Sequence, residues 1–109
     1  MIGGGGEKKT LRLVARYADA CNLFAGRDEA RKLEVLRRHC DAVGRDYDTI
    51  YKTAYYWFDP ARGTQRIIDE LGALAELGFD AAIGAVAGVW DVAPLEVIGC
   101  EIIPVVADF

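Results

Sequence analysis

The sequence has few of the residues that mark metal-binding or disulfide-rich proteins. It contains one histidine and three cysteines, Cys21, Cys40 and Cys100, which stand far apart. No Cys-x-x-Cys spacing occurs, so neither a zinc site nor a redox dithiol is encoded, and no metal ligand is assigned. Each cysteine has apolar neighbours, which predicts three buried, reduced thiols and a reducing compartment.

Long hydrophobic runs and an excess of positive charge are also absent. Lys and Arg number 13 against 17 Asp and Glu, a formal net charge of −4. Because nucleic-acid binding needs a basic footprint, no nucleic-acid partner is expected. No apolar run approaches the roughly 18 residues of a membrane span, and the start of the chain lacks the charged and apolar regions of a signal peptide. These absences predict a cytoplasmic protein with no membrane partner.

What is present is typical of one folded domain: 109 residues, 52% hydrophobic and 28% charged. Short apolar segments alternate with stretches whose apolar residues repeat at helical spacing. The predicted strands are a stub at Ile2 and residues 20–24, 50–58 and 80–86. The predicted helices are residues 7–18, 31–43, 64–77 and 91–99. Pro104 argues against a central strand in the apolar tail, residues 102–106.

Asp28 and Thr64 are the expected N-caps of the second and third helices, and Gly44 and Gly78 their C-caps. Strands that alternate with helices predict a parallel sheet with right-handed crossovers. Four such units in 109 residues are about half of what a (β/α)8 barrel contains. The sequence therefore predicts an α/β fold that is half of a TIM barrel, and the short segment before the glycines suggests that the first strand is cut off.

Four consecutive glycines, Gly3 to Gly6, lead into the first predicted helix. Glycines allow the backbone to approach a ligand closely, and a helix start offers free N–H groups and partial positive charge. Lys8, Lys9 and Thr10 add two cations and a hydroxyl at the rim. The pattern favours binding of a phosphate group, and the alternative is a tight strand-to-helix turn or a tag-like glycine run.

Two well-known phosphate motifs do not match this loop. A P-loop requires Gly-Lys-Ser/Thr, whereas Lys8 precedes Lys9-Thr10 here. A dinucleotide fingerprint requires a third glycine where Lys8 stands, and an acidic residue at the end of the second strand, where the sequence has Asn22-Leu23-Phe24. Dinucleotide binding of that kind is therefore disfavoured.

The remaining candidates have structural explanations. His39 lies inside the second predicted helix, which favours a structural or surface role far from the carboxyl ends of the strands. Tyr55 and Trp57 are expected in the core. Arg62 and Asp91 follow strands, where a solvated charge and a helix cap explain them. No Ser/His/Asp or Cys/His set is available for nucleophilic catalysis.

Residues 2–22, which run from Ile2 through the four glycines to Asn22, resemble the phosphate-loop segment of luciferase-like monooxygenases. The likeness is greatest to the subgroup that uses the deazaflavin coenzyme F420. Residues 36–46 resemble the helix and turn that follow in that family, and residues 74–80 resemble the entry to its last strand. The resemblance implies that residues 1–109 are one partial TIM-barrel domain, from strand five to helix eight.

The resemblance also implies a binding site and a chemistry. Backbone amides of Gly4, Gly5, Gly6 and Glu7 would hold the phosphate of coenzyme F420 or FMN, with Lys8 and Thr10 beside it and Asn22 lining the site. The family transfers hydride to or from its flavin or deazaflavin, or oxygenates a small organic substrate, and the cofactor supplies the difficult chemistry.

Strands one to four of that family have no counterpart in the sequence. Two other functions therefore stay open: a non-catalytic half-barrel that binds a phosphate ligand, and a truncated product without independent activity. An open half-barrel exposes sheet edges and apolar surface, so a homo-oligomer is expected.

Overall fold

Four short strands lie side by side, in the order of the chain, in a computed structural model that describes residues 1–109. They are β1 (Ile2–Gly3), β2 (Ala20–Phe24), β3 (Tyr51–Tyr55) and β4 (Ala81–Ile83). All three pairings are parallel. The predicted α/β fold with one parallel sheet is confirmed, and Ile2 does begin a strand that pairs with its neighbour.

Helices connect the strands. They are α1 (Thr10–Tyr17), α2 (Glu29–Val43), α3 (Thr64–Leu77), α4 (Ala93–Val97) and α5 (Ile103–Val106), with short 3-10 turns at Tyr47–Thr49 and Pro60–Arg62. None of these helices is both long enough and apolar enough to cross a lipid bilayer.

The helices pack against one face of the sheet, and the side chains on that face form the core. Leu23 and Ala54 lie there beside Leu11 of α1 and Ile67 of α3. A second cluster, nearer the amino ends of the strands, joins Cys21 to α1 and α2 and contains Cys40. The apolar stripes predicted for the helices therefore do face the sheet.

The predicted C-caps of the helices are confirmed, whereas the predicted N-caps are confirmed only in part. Gly44 and Gly78 are both left-handed C-caps, as predicted. Asp28 is the N-cap of α2, but its φ of 55° turns the side chain away from any capping hydrogen bond. The prediction that Thr64 caps α3 is wrong: Gly63 is the N-cap, and the Thr64 hydroxyl instead donates to Glu101 Oε2 at 2.8 Å.

The third and fourth strands are shorter than predicted because Gly84 interrupts their pairing. Regular pairing ends at Tyr55 and Ile83 and resumes as a single bridge between Phe58 and Val86. At Gly84 the backbone of β4 lies so close to Tyr56 that a Cβ would overlap the Tyr56 carbonyl.

The last helix does not end near Gly99, as predicted. The chain stays helical from Ala93 to Val106, with a wider π-type turn at Ile98–Ile102 in the middle. In that turn the Ile103 N–H donates to the Ile98 carbonyl, five residues back. The wider turn accommodates Pro104, which has no N–H and crowds an ordinary α-helical turn.

The two longest connections lie at the carboxyl ends of the strands. The connections at the carboxyl ends are residues 4–9, 25–28, 56–63 and 84–92. Those at the amino ends are residues 18–19, 44–50 and 78–80. The glycine run belongs to the rim at the carboxyl ends.

Candidate functional site

The candidate site is the segment that follows β1, residues 4–9, which we call the glycine loop. It begins at the carboxyl end of the strand, where Gly3 is paired with Asn22 of β2. The Gly4 amide donates to the Asn22 carbonyl at 3.1 Å, which anchors the loop to the sheet. Gly4 has a φ of +112°, a conformation that side chains rarely adopt. The glycine at this position is therefore required by the backbone.

The backbone amides of residues 5–9 donate no hydrogen bond within the protein. The Leu11 N–H, five residues along, bonds to the Gly6 carbonyl at 2.9 Å and so closes a wide turn around residues 7–10. Consecutive free N–H groups of this kind are the donors that anions use at loop-to-helix junctions.

The first helix begins three residues later than predicted, at Thr10 instead of Glu7. The reason is α2, whose side chains bind both the backbone carbonyl and the carboxylate of Glu7. His39 Nε2 donates to the Glu7 carbonyl at 2.6 Å, and the Glu7 carboxylate lies 3.0 Å from Arg31 Nε and 3.2 Å from Lys32 Nζ. These contacts hold Glu7 outside the helix.

The ion pairs affect the charge of Glu7. The hydrogen bond from Lys32, together with the nearby Arg31 guanidinium, lowers the pKa of the Glu7 carboxyl below its ordinary value. The carboxylate therefore stays ionised at neutral pH and occupies part of the cationic surface that Arg31 and Lys32 present. One negative charge against two positive charges leaves this side of the loop net positive.

Lys32 also lies against the glycines themselves. Its Cε is 3.4 Å, and its Nζ 3.9 Å, from the place where a Cβ of residue 5 would stand. Gly6 is confined in the same way by Thr10, whose Oγ1 would lie 2.8 Å from a Cβ of residue 6. The loop is therefore bordered by a cation on one side and a hydroxyl on the other.

The predicted binding residues are brought together at one end of the sheet. Gly4, Gly5 and Gly6 form the loop, Thr10 borders it, and Asn22 lies on the adjacent strand. The Asn22 side chain is engaged inside the protein, because its Oδ1 accepts the Thr53 hydroxyl at 2.7 Å. Lys8 is exposed and makes no ion pair. Glu7 offers its free amide to the loop while its side chain points to α2.

Sequence reasoning missed the three residues of α2 that hold the loop, Arg31, Lys32 and His39. His39 does have a structural role, but its expected distance from the strand ends is wrong, since it hydrogen-bonds the loop that follows β1. The spacing of Lys32 and His39, two helical turns apart, places them on one side of α2. Nothing in the sequence says that this side meets the glycines.

The other rim residues do not converge on the loop. Arg62 pairs with Glu70 at 2.7 Å, and Trp90 is 86% exposed. The prediction that Tyr55 and Trp57 are core residues is wrong, because both are exposed. Tyr55 lies on the sheet face that carries no helices, where it packs edge-on against Phe24.

A large cavity lies away from the glycine loop. It has a volume of about 520 Å³ and is lined mainly by apolar residues of α3, β4 and the C-terminal helical segment, including Phe58, Phe79, Ile102 and Phe109. It holds no cluster of ionisable groups, and no group of three His, Cys, Asp or Glu side chains suited to a metal occurs in the protein.

Comparison with known proteins locates a similar fold. No protein-family model and no curated protein matches the sequence. Among solved structures, a similar chain is the coenzyme F420-dependent tetrahydromethanopterin reductase from Methanopyrus kandleri, with a TM-score of 0.74 and 13% sequence identity. The match covers 94% of this chain and 49% of that enzyme chain, so the protein spans about half of the neighbour's length. The similarity is one of fold.

Proposed function

We propose that the chain is the C-terminal half of a luciferase-like (β/α)8 barrel, and that its glycine loop binds the phosphate of coenzyme F420. The observation that carries the proposal is the run of free amides at residues 5–9, at the carboxyl end of a strand in a parallel sheet. Ligands of such sheets bind at this end of the strands. A structural neighbour with a similar fold is a coenzyme F420-dependent reductase.

The residues of the loop fit a phosphate group. Free N–H groups supply the hydrogen bonds, and the absence of side chains at residues 4–6 lets the phosphate oxygens come close to the backbone. The Lys32 ammonium beside Gly5 supplies positive charge. Phosphate prefers this combination of backbone donors and a cation.

In the complete barrel the deazaflavin would supply hydride transfer, and this chain would hold one end of it. The residues of this chain would bind the cofactor and orient it. The His39 contact to the Glu7 carbonyl and the Glu7 ion pairs fix the loop before a ligand arrives. A loop that is fixed in advance loses less entropy when it binds.

The test is a titration of coenzyme F420, followed by its own fluorescence, against the wild-type chain and glycine variants. Gly6→Ala places a methyl group against Thr10, and Gly4→Ala forces a side chain into a φ of +112°. Each is expected to weaken binding at least tenfold. Gly3→Ala is the matched control, because a Cβ there meets nothing within 4 Å.

Inorganic phosphate and FMN distinguish the alternatives. Competition by phosphate supports the proposed contact, and weaker binding of FMN supports the deazaflavin. Equal binding of inorganic phosphate and coenzyme F420 would instead favour the non-catalytic phosphate-binding half-barrel. A folded wild-type chain that binds neither would overturn the proposal.

A further inference from the structure

One face of the sheet carries no helices, and its side chains are apolar and exposed. The register places Phe24, Tyr55 and Ile83 side by side on neighbouring strands. They are 47%, 37% and 47% exposed. Below them Asn22 hydrogen-bonds to Thr53, which is fully buried. We call this surface the open face. Its strand residues are uncharged, and the Arg27 guanidinium lies 5.1 Å from the centre of the Phe24 ring.

A parallel sheet is stable in other proteins when both of its faces are covered. Here the helices cover one face only, and the overall dimensions show the consequence. The protein measures 46 × 26 × 21 Å and has a radius of gyration of 15.1 Å. A domain of this length normally has a radius of about 13 Å. The molecule thus has the extended shape of a half-shell.

The two outer strands are also uncovered. β1 and β4 each pair on one side only. Proteins protect such edges with Lys, Pro or a covering segment. The residues of β1 are Ile2 and Gly3, and those of β4 are Ala81, Ala82 and Ile83, so neither strand itself carries a protective charge or proline.

We propose that the open face is covered by a second copy of this chain, related by a two-fold axis parallel to the strands. In this arrangement β4 of each copy adds to β1 of the other, and every pairing remains parallel. Four strands from each copy make eight, the number at which side chains just fill a closed barrel. Each copy matches 49% of the neighbour's chain, so two copies account for the length of one complete chain.

The charge pattern favours a copy over a charged partner. The centre of a protein interface is poor in charged residues and rich in aromatic side chains. The open face has three exposed aromatic residues, Phe24, Tyr51 and Tyr55. A two-fold interface must be complementary to itself. A mainly apolar surface whose strand residues are uncharged meets this condition, whereas a surface of one charge would repel its own copy.

The second copy would also complete the candidate site. Closing the barrel brings the partner's loop after β4, residues 84–92, next to the glycine loop at the β1 edge. That loop carries Val89, Trp90 and Val92, which are 56%, 86% and 66% exposed in the single chain. The inference goes beyond the cofactor proposal and does not depend on it.

The test is sedimentation equilibrium of the purified chain over a range of concentrations. We expect a discrete dimer, with twice the mass of one chain. Ile83→Lys places a charge on the open face at the outer strand β4 and is expected to give monomers, and Tyr55→Lys repeats the test on the inner strand β3. Both side chains are already partly exposed, so each variant is expected to fold, which circular dichroism and urea denaturation check.

Tyr17→Lys is the matched control, because Tyr17 is 72% exposed on α1 and lies on the helix side of the sheet. It should remain a dimer. A wild-type chain that stays monomeric at every concentration would overturn the proposal, as would a dimer that both open-face variants leave intact or a series of open-ended oligomers. Phosphate binding is measured on the same samples. The oligomeric state then tests the dimer, and the binding measurement tests the proposed function, so that either can fail without the other.

Discussion

Gly84 lies where β3 and β4 come closest to each other. The hydrogen bonds from Tyr56 N–H to Ile83 and from Phe58 N–H to Ala85, both 2.9 Å, pass on either side of it. A side chain at residue 84 would occupy the position of the Tyr56 carbonyl. Because that carbonyl is part of the backbone, it cannot turn aside as a flexible side chain could.

Gly84→Ala is therefore expected to lower the free energy of unfolding by about 3 kcal/mol, at the upper end of what overpacking costs. Urea denaturation followed by circular dichroism measures the change. Gly99→Ala is the control, since a Cβ there meets nothing within 4 Å. Equal stability of the two variants would show that the strands separate easily at this point.

The cysteines differ in their surroundings, contrary to the prediction that all three are buried. Cys21 and Cys40 are buried and Cys100 is exposed. Burial raises the pKa of the Cys21 thiol to about 11 and also raises the pKa of Cys40. The thiolate is the reactive form of cysteine. Cys21 and Cys40 are therefore protected from thiol reagents in two ways: burial blocks access to them, and their raised pKa keeps them in the thiol form.

A thiol reagent such as DTNB should therefore modify one cysteine quickly in the native protein and all three after denaturation. Cys100→Ser should abolish the fast reaction. If the fast reaction persisted in that variant, the cluster that holds Cys21 and Cys40 would open far more often than its packing indicates.

At the scale of the element, α2 supports the glycine loop as much as it supports the sheet. Its first turn binds the loop through Arg31 and Lys32, and its third turn binds the loop through His39. The His39 bond is the shortest of these contacts and is partly buried. The conformation of the glycine loop therefore depends on the position of α2, which is separated from the loop in the chain by α1 and β2.

His39→Ala is expected to cost about 1 kcal/mol of stability, the usual value of one hydrogen bond, and to speed amide exchange at Leu11, whose bond to Gly6 closes the turn. Arg38→Ala removes a neighbouring side chain whose only ion pair, with Glu34, is solvent-exposed, and should change stability by less than about 0.5 kcal/mol. Exchange at Leu11 that is equally fast in both variants would mean that His39 does not hold the loop.

The sequence predicted most elements because their periodicity is local. The glycine caps and the apolar stripe of α2, predicted as Leu33, Leu36, Cys40 and Val43, are read from neighbouring residues. Three of the four stripe residues are buried, and Val43, at the end of the helix, is exposed. The contacts of Glu7 could not be read in this way, because Lys32 and His39 lie 25 and 32 residues further along the chain. For the same reason the glycine run indicated a loop and a phosphate, whereas the start of α1 was placed too early.

At the scale of the whole molecule, buried thiols and tyrosines make the free energy of unfolding depend on alkaline pH. Tyr56 and Cys21 have the largest pKa shifts. Burial and the hydrogen bond to Glu70 raise the pKa of the Tyr56 hydroxyl to about 12, from an ordinary value of 10.0. The pKa of Cys21 is raised to about 11 from 9.0. Both groups ionise more easily in the unfolded chain, so their contribution is complete below pH 9.0 and is lost as pH rises toward 12.

The free energy of unfolding should accordingly decline between about pH 9 and pH 12, as measured by urea denaturation at a series of pH values. Tyr56→Phe keeps the ring in the core and should flatten the decline above pH 10, while Tyr17→Phe, at an exposed tyrosine, should leave it unchanged. A wild-type profile that is flat across this interval would contradict the assigned burial of both groups.

The two longest connections, residues 56–63 and 84–92, both lie at the carboxyl ends of the strands. The parts of them that lie beyond the bridge between Phe58 and Val86 can change in length without disturbing the strands that they join. Over evolutionary time such a chain can acquire new ligands by remodelling one end while its scaffold persists.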